Sequence, residues 1–431
     1  LDQRDQLITE LVGWTGGTAV PQDGGAINVF SSGGQALVVG AQASQLTTVS
    51  DPYRPERQQL ALQGAGQTVR IDERAMGGRL GGLLEFRSQV LDPTQAELGR
   101  IALGLGMRFN AGHAAGVDQT GARGGDFFSV PAPVVSGHSA NTGSARLTAS
   151  VADLAQVDGR NLVVQWRDGA WSASDAATGA AVPVAGTGTA DDPLCVGGIA
   201  LVVDGTPAQQ DRFLLQPTAQ VAGGLAVAIT DPGRIAAATA VRVAAALDNQ
   251  GTGKPSGMRV DDAQAALAGP ASIEFLDGDQ YMIDGDGPFP YTPGARIEAN
   301  GWSFVLDGIP AAGDTFTVSP TGAGSSDNGN AALLAGLDDL RLLDGGNVSL
   351  NSAISGLTSA VGSTARHAAY AAEAQAVVHA QAQSARDSVS GVNLDEEAAN
   401  MLQLQQAYQA AAHIISTADT LFQSILGAVR R

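Results

Sequence analysis

From Leu394 to Val429 the chain places residues in alternating steps of three and four, at Leu394, Glu397, Met401, Leu404, Tyr408, Ala411, Ile415, Ala418, Phe422, Ile425 and Val429. Only Glu397 is neither apolar nor aromatic. The steps average about 3.5 residues, the spacing that keeps a seam facing a partner helix in a left-handed coiled coil. Asn393 is placed to cap this helix, Asp395, Glu396 and Glu397 suit its positive end, and Arg430 and Arg431 suit the other. At roughly 1.5 Å per residue it would be about 54 Å long. A solvated coiled coil carries charges beside its seam, yet from Ala398 to Val429 the only formally charged residue is Asp419. The remaining faces mix Gln403, Gln405, Gln406, Gln409 and Gln423 with Leu402, Ile414, Leu421 and Leu426, which suits packing against further helices. Leu394, Met401, Leu404, Tyr408, Ala411, Ile415, Ala418, Phe422, Ile425 and Val429 are therefore the expected subunit interface. A core helix of a larger monomer is the competing reading.

The rest of the chain is long enough for two or three domains: 431 residues, 44% hydrophobic. Aromatic residues make up only 5% while Gly and Ala abound, so the cores rely on small side chains and close backbone approach. A formal charge of −19 repels phosphate backbones and anionic headgroups, which argues against nucleic-acid and membrane-surface partners. Cys195 is the single cysteine and can form no internal disulfide. No apolar run reaches the roughly 20 residues needed to cross a bilayer, and no cleavable secretory signal opens the chain.

The pattern along the chain predicts an α+β fold with four parts. Residues 1–130 form the first segment of a helical core domain: a helix over Leu1–Val12, a hairpin from Ala26–Phe30 and Ala36–Val39 around Ser31–Gly34, and helical spacing over Leu80–Leu91 and again from Thr94. Pro93 sits in the opening turn of that last helix. The helix at Leu1 begins in mid-pattern, as if truncated. Residues 131–330 read as an inserted β-rich domain. It contains a repeat: Gly198–Ala208 returns as Gly301–Ala311, Asp211, Phe213, Pro217 and Thr218 return as Asp314, Phe316, Pro320 and Thr321, and Val164–Gly169 returns as Ile273–Gly278. Residues 331–391 return to helix, at Ala331–Leu343 and Asn351–Ser390, closed by Gly391. Residues 392–431 form the terminal coiled-coil helix. The two helical segments make one rod or bundle domain into which the duplicated β module is inserted.

The tail from Gly391 through Ala412, continued by Ile415-Ser416-Thr417-Ala418-Asp419, resembles the carboxy-terminal signature of flagellar axial proteins. Leu1-Asp2-Gln3-Arg4-Asp5-Gln6-Leu7, Gly81-Gly82-Leu83-Leu84-Glu85-Phe86-Arg87, and Phe109-Asn110-Ala111 with His113 and Gly116-Val117-Asp118 narrow the resemblance to the flagellar hook-associated protein 1 family. It covers Leu1 to about Phe128 and Leu350 to the end, with the middle module corresponding to the family's variable outer domain. The resemblance implies an adaptor ring of identical copies between hook and filament, in contact with the hook protein and a second hook-associated junction protein. It implies secretion, by export through the flagellar type III channel, to the extracellular flagellum, and a cytoplasmic chaperone on the carboxy-terminal helix. It further implies an amino-terminal helix that pairs with the terminal one and precedes Leu1.

Nothing in the sequence favours catalysis, and no cofactor or metal is expected. Gly251-Thr252-Gly253-Lys254 lacks the first glycine of a phosphate loop and has Pro255 where Ser or Thr would bind magnesium. Asp277, Asp279, Asp284 and Asp286 lack the ligand order of a calcium loop. His367 and His379 share a helix without the close spacing of a metal pair. Two other functions remain open on these residues: a flagellin- or hook-like subunit that polymerises at length, and a glycan-binding or glycan-active surface module with Trp166, Trp171 and Trp302 lining a sugar site.

Overall fold

The computed structural model describes residues 2–64, 67–390 and 394–429. They fall into two compact units, Leu1–Val361 and Gly362–Arg431. In the first unit α1 (Asp2–Thr15) turns Ile8 and Leu11 onto Val29, Leu37 and Met76, while Leu7 stays exposed. The expected hairpin is present, with Val29 opposite Val38 and Phe30 opposite Ala36, inside a four-stranded antiparallel sheet. A three-stranded sheet over Gln45–Ser50, Gln58–Gln63 and Thr68–Arg70 follows it.

The two helices expected near Pro93 are one run. α2 (Gly78–Glu85) continues through a π-helical turn, Phe86–Leu91, into α3 (Asp92–Ala114), with helical backbone at each junction. Pro93 stands in the first turn of α3, as expected, where that helix runs on from the π-helical turn. It cannot donate to the preceding turn and its ring crowds the carbonyl four residues back, a conflict that a widened turn accommodates. A second difference lies between Ala335 and Leu350. The helix Gly329–Ala335 gives way to a short 3₁₀ turn and then to a hairpin, Arg341–Leu343 against Val348–Ser349. Asp344, Gly345 and Gly346 all have positive φ, so the chain reverses where helical spacing alone predicted a helix through Leu343. α4 (Leu350–Ser390) starts directly after it, and its Leu350 and Ala353 pack with Ile101 and Leu343.

Between these helical segments lie two tandem modules of the same topology. In the first, a five-stranded sheet runs in the order Val134–Gly137, Arg212–Gln216, Leu162–Arg167, Ala170–Asp175, Ala181–Val182, with a three-stranded sheet of Arg146–Val151, Ile199–Asp204 and Leu194–Val196. The second repeats that order strand for strand: Val241–Ala245, Thr315–Pro320, Ala271–Phe275, Gln280–Ile283, Asp286–Pro290, and Lys254–Val260, Trp302–Asp307, Arg296–Ala299. All pairings are antiparallel, and equivalent residues occupy equivalent register: Val164 opposes Phe213 as Ile273 opposes Phe316. Gly198 and Gly301 mark the matching turns; each has positive φ, and a Cβ there would lie 2.4 or 2.5 Å from the carbonyl of Asp153 or Asp262. Module cores are separate, with Val164, Ile199, Leu201 and Leu215 in the first, joined by Leu103 of α3, and Ile273, Phe275, Phe304 and Phe316 in the second.

The first module is seated on the amino-terminal sheets. Ser139 N–H donates to the Pro52 carbonyl at 2.8 Å, and the His138 ring lies edge-on to Tyr53 with centroids 4.9 Å apart. His138 Nδ1 accepts from Ala140 N–H at 3.0 Å, a role open only to the ring unprotonated at that nitrogen. Partial burial, with Arg212 and Arg70 nearby, lowers its pKa against a smaller opposing pull from Asp51. A depressed histidine supports the fold fully above its unfolded pKa and loses that support as pH falls through the folded value. Acidification from pH 7.5 to 5 is therefore expected to weaken this seat. In urea unfolding the loss of midpoint over that range should be smaller in His138→Asn than in the parent protein, and an equal loss in both would exclude His138 as the cause.

The second unit holds the remainder of α4 and all of α5 (Leu394–Val429).

Candidate functional site: the carboxy-terminal helix

Asp395, Glu396 and Glu397 occupy the first turn of α5, where they favour the positive end of its dipole. The expected cap Asn393, the expected stop Gly391 and the terminal arginines Arg430 and Arg431 lie outside the described residues, and so does the side chain of Leu394. Every side chain described from Asp395 to Val429 is exposed. Among the large apolar ones the exposure runs from 43% at Leu426 to 77% at Tyr408 and Val429. Met401, Leu404, Tyr408, Ile415, Phe422, Ile425 and Val429 are thus brought onto one helix, as their spacing requires, and all are exposed among the described residues. Leu402, Ile414, Leu421 and Leu426 are exposed as well, so apolar surface is not confined to one stripe. Thr417, Thr420 and Ser424 turn their hydroxyls back onto the carbonyls four residues earlier at 2.8, 2.8 and 2.9 Å.

The motif residues nearer the amino terminus hold the scaffold. Asn110 at the end of α3 takes N–H groups of Phe127 and Phe128 at 3.0 and 2.8 Å and donates to the Phe128 carbonyl at 2.7 Å. His113, fully buried, hydrogen-bonds the Gly125 carbonyl through Nδ1 and accepts from Ala236 N–H through Nε2, both at 2.8 Å. The same Ala236 peptide gives its carbonyl to Asn330 Nδ2 at 2.7 Å, so the link between the two modules is gripped from both sides. Asp118 closes its own turn by accepting from Thr120 N–H, Thr120 Oγ1 and Ala122 N–H. Arg87 pairs with Glu73.

The residues weighed for other chemistry are scattered or occupied. The amides of Gln250 and Gly251, which a phosphate would need, already donate to the Asp314 carboxylate at 2.7 and 3.0 Å. Asp277 accepts from Asp279 N–H within its own turn, and Asp284 accepts from Ser272 N–H on the neighbouring strand. His367 and His379 are both exposed on α4. Trp166 and Trp171 face each other across paired strands with ring centroids 5.1 Å apart. Trp302 is buried in the other module's core, so the three tryptophans do not line one surface.

Sequence reasoning missed the carboxylates that organise each module. Asp211 accepts from Thr142, Gly143 and Ala208 N–H at 3.0, 3.1 and 2.9 Å, and Asp314 accepts from Gln250, Gly251 and Ala311 in the same pattern. Asn141 and Asn249 each exchange two hydrogen bonds with the backbone of the residue after that aspartate, Arg212 or Thr315. The signal was present as Asn141-Thr142-Gly143-Ser144 against Asn249-Gln250-Gly251-Thr252.

Comparison with known proteins agrees with this arrangement. Residues 1–128 match the "Flagellar hook-associated protein FlgK helical domain", residues 136–217 the "Flagellar hook-associated protein 1, D2-like domain", and residues 383–428 the "Flagellar basal body rod FlgEFG protein C-terminal" family. The chain is 32% identical to flagellar hook-associated protein 1 of Salmonella typhimurium and 29% identical to that of Escherichia coli, over 99% of its own length in both cases. It spans 64% and 63% of the length of those relatives. The solved flagellar hook junction protein FlgK from Burkholderia pseudomallei superposes with a TM-score of 0.78 at 32% identity, covering 90% of this chain and 78% of that one. These matches place the chain among flagellar structural proteins. Within that class it belongs to the flagellar hook-associated protein 1 family.

Proposed function

We propose that this chain is a structural adaptor subunit that joins the flagellar hook to the filament, and that it acts by burying α5 among helices of neighbouring subunits. The observation that carries this reading is the exposed seam Met401, Leu404, Tyr408, Ile415, Phe422, Ile425 and Val429 on a helix whose only formal charge beyond its first turn is Asp419. Copies of the chain form a ring and meet the hook protein on one side and the second hook-associated junction protein on the other. Residues 131–330 form the outer domain, carried on the core made by residues 1–130 and 331–391. The protein works outside the cell as part of the flagellum, reaches it unfolded through the flagellar type III channel, and is accompanied before export by a chaperone on α5. An exposed apolar helix needs such cover until its partners are present. No catalytic step is assigned to it.

Cells lacking the gene are expected to build hooks without filaments, seen by electron microscopy of sheared and intact flagella. Filaments of ordinary length and number on such cells would overturn the adaptor role.

A further inference from the structure

The duplication permits a comparison inside one molecule, because each module has a loop end built around the same aspartate. In the first module that end includes Ser139, Arg167 and Thr206. In the second the equivalent positions, fixed by the matching bonds of Asn141 and Asn249 and of Asp211 and Asp314 and by the matching register of Val164 and Ile273, are Leu247, Leu276 and Ile309. The first end is partly seated on the chain itself, through Ser139 N–H on the Pro52 carbonyl. The second end is free: Leu247, Leu276 and Ile309 are 106%, 42% and 62% exposed. Ser139, Arg167 and Thr206 are exposed as well, so both ends meet water at these positions and only the second meets it with aliphatic side chains.

The three loops converge. Thr252 N–H donates to the Ile309 carbonyl at 2.8 Å, and a Cβ on Gly278 would lie 4.0 Å from Ile309 Cγ2. Asp314 ties the first loop to the third by taking amides of Gln250, Gly251 and Ala311. Around the aliphatic tips stand the exposed carboxylates Asp248, Asp277 and Asp279, and residues 246–252, 276–280 and 308–314 contain no Lys or Arg. Lys254 at the rim is set opposite Asp307 in the strand register.

We propose that this loop end of the second module is a docking surface for a different protein that presents an apolar side chain flanked by lysine or arginine. The argument for the occupant is charge: the exposed carboxylates Asp248 and Asp277 directly follow Leu247 and Leu276 in the chain, Asp279 shares the loop of Asp277, and a second copy of this chain would bring a net charge of −19 to the contact. The occupant's aliphatic group covers Leu247, Leu276 and Ile309 while its cations meet Asp248, Asp277 and Asp279.

The test uses the full chain and three amidated peptide probes: two leucines flanked by arginines, two leucines flanked by glutamates, and two serines flanked by arginines. Fluorescence anisotropy should give at least tenfold tighter binding for the leucine and arginine peptide than for either control. The triple variant Leu247→Ser, Leu276→Arg, Ile309→Thr installs residues that the first module already carries in the same fold, and it should lose that preference without losing its thermal unfolding midpoint. Equal binding of all three peptides, or a preference that survives the triple variant, would overturn the proposal. So would self-association in sedimentation that the triple variant abolishes, because a second copy would then be the occupant.

Discussion

Replacing Leu404 and Ile415 together with Asp is expected to reduce attachment to purified hooks by more than about 100-fold, while the modules remain folded. Both residues lie on the seam of α5, eleven positions apart along one face, and both are exposed in the isolated chain. The substitutions therefore cost little before assembly. In an assembly that encloses the helix, each new carboxylate must leave water without a partner, at an effective cost of several kcal/mol each. Trp302 fluorescence and the unfolding midpoint of the second module report on folding separately, since that tryptophan is buried in a different unit of the chain. Retained attachment of the folded double variant would remove α5 from the interface.

Asp314→Ala should destabilise the second module by about 3 kcal/mol, because it strips acceptors from three loop amides at once. Burial pushes the Asp314 carboxyl up, but hydrogen bonds from Ala311, Gln250 and Gly251 outweigh it and hold the pKa below the usual carboxylate range. The sign follows: a depressed carboxyl contributes its full stability above its unfolded pKa, and the contribution disappears as pH falls through the folded value. The difference between parent and variant in urea unfolding should accordingly be constant near neutrality and narrow in acid. A variant with an unchanged midpoint would show that the amides find other partners and that the loops do not depend on this carboxylate.

How much of this was legible in advance depended on whether a feature leaves a periodic trace. The seam of α5, the long helix Leu350–Ser390 and the hairpin around Val29 and Val38 do so, because apolar spacing maps directly onto helix faces and strand pairs. Duplication was visible through matched strings, and the structure adds that eight strands recur in the same order. The stretch through Leu343 misled because its leucines fit helical spacing while the decision lay in the positive φ angles at Asp344, Gly345 and Gly346. Pro93 does stand in the first turn of α3, as its position suggested, but nothing in the sequence showed that a π-helical turn joins that helix to α2. The grip of His113 and Asn330 on Ala236 joins residues distant along the chain, and no local pattern announces it.

In each module the first strand and the last are hydrogen-bonded neighbours: Val134 lies opposite Gln216, and Val241 opposite Pro320. The polypeptide therefore enters and leaves each unit side by side, like the two leads of a plug. A whole unit can be added, exchanged or removed at such a socket while the supporting helices keep their spacing. Evolution thus has a way to lengthen or redecorate the middle of this chain without rebuilding the helical segments on either side of it.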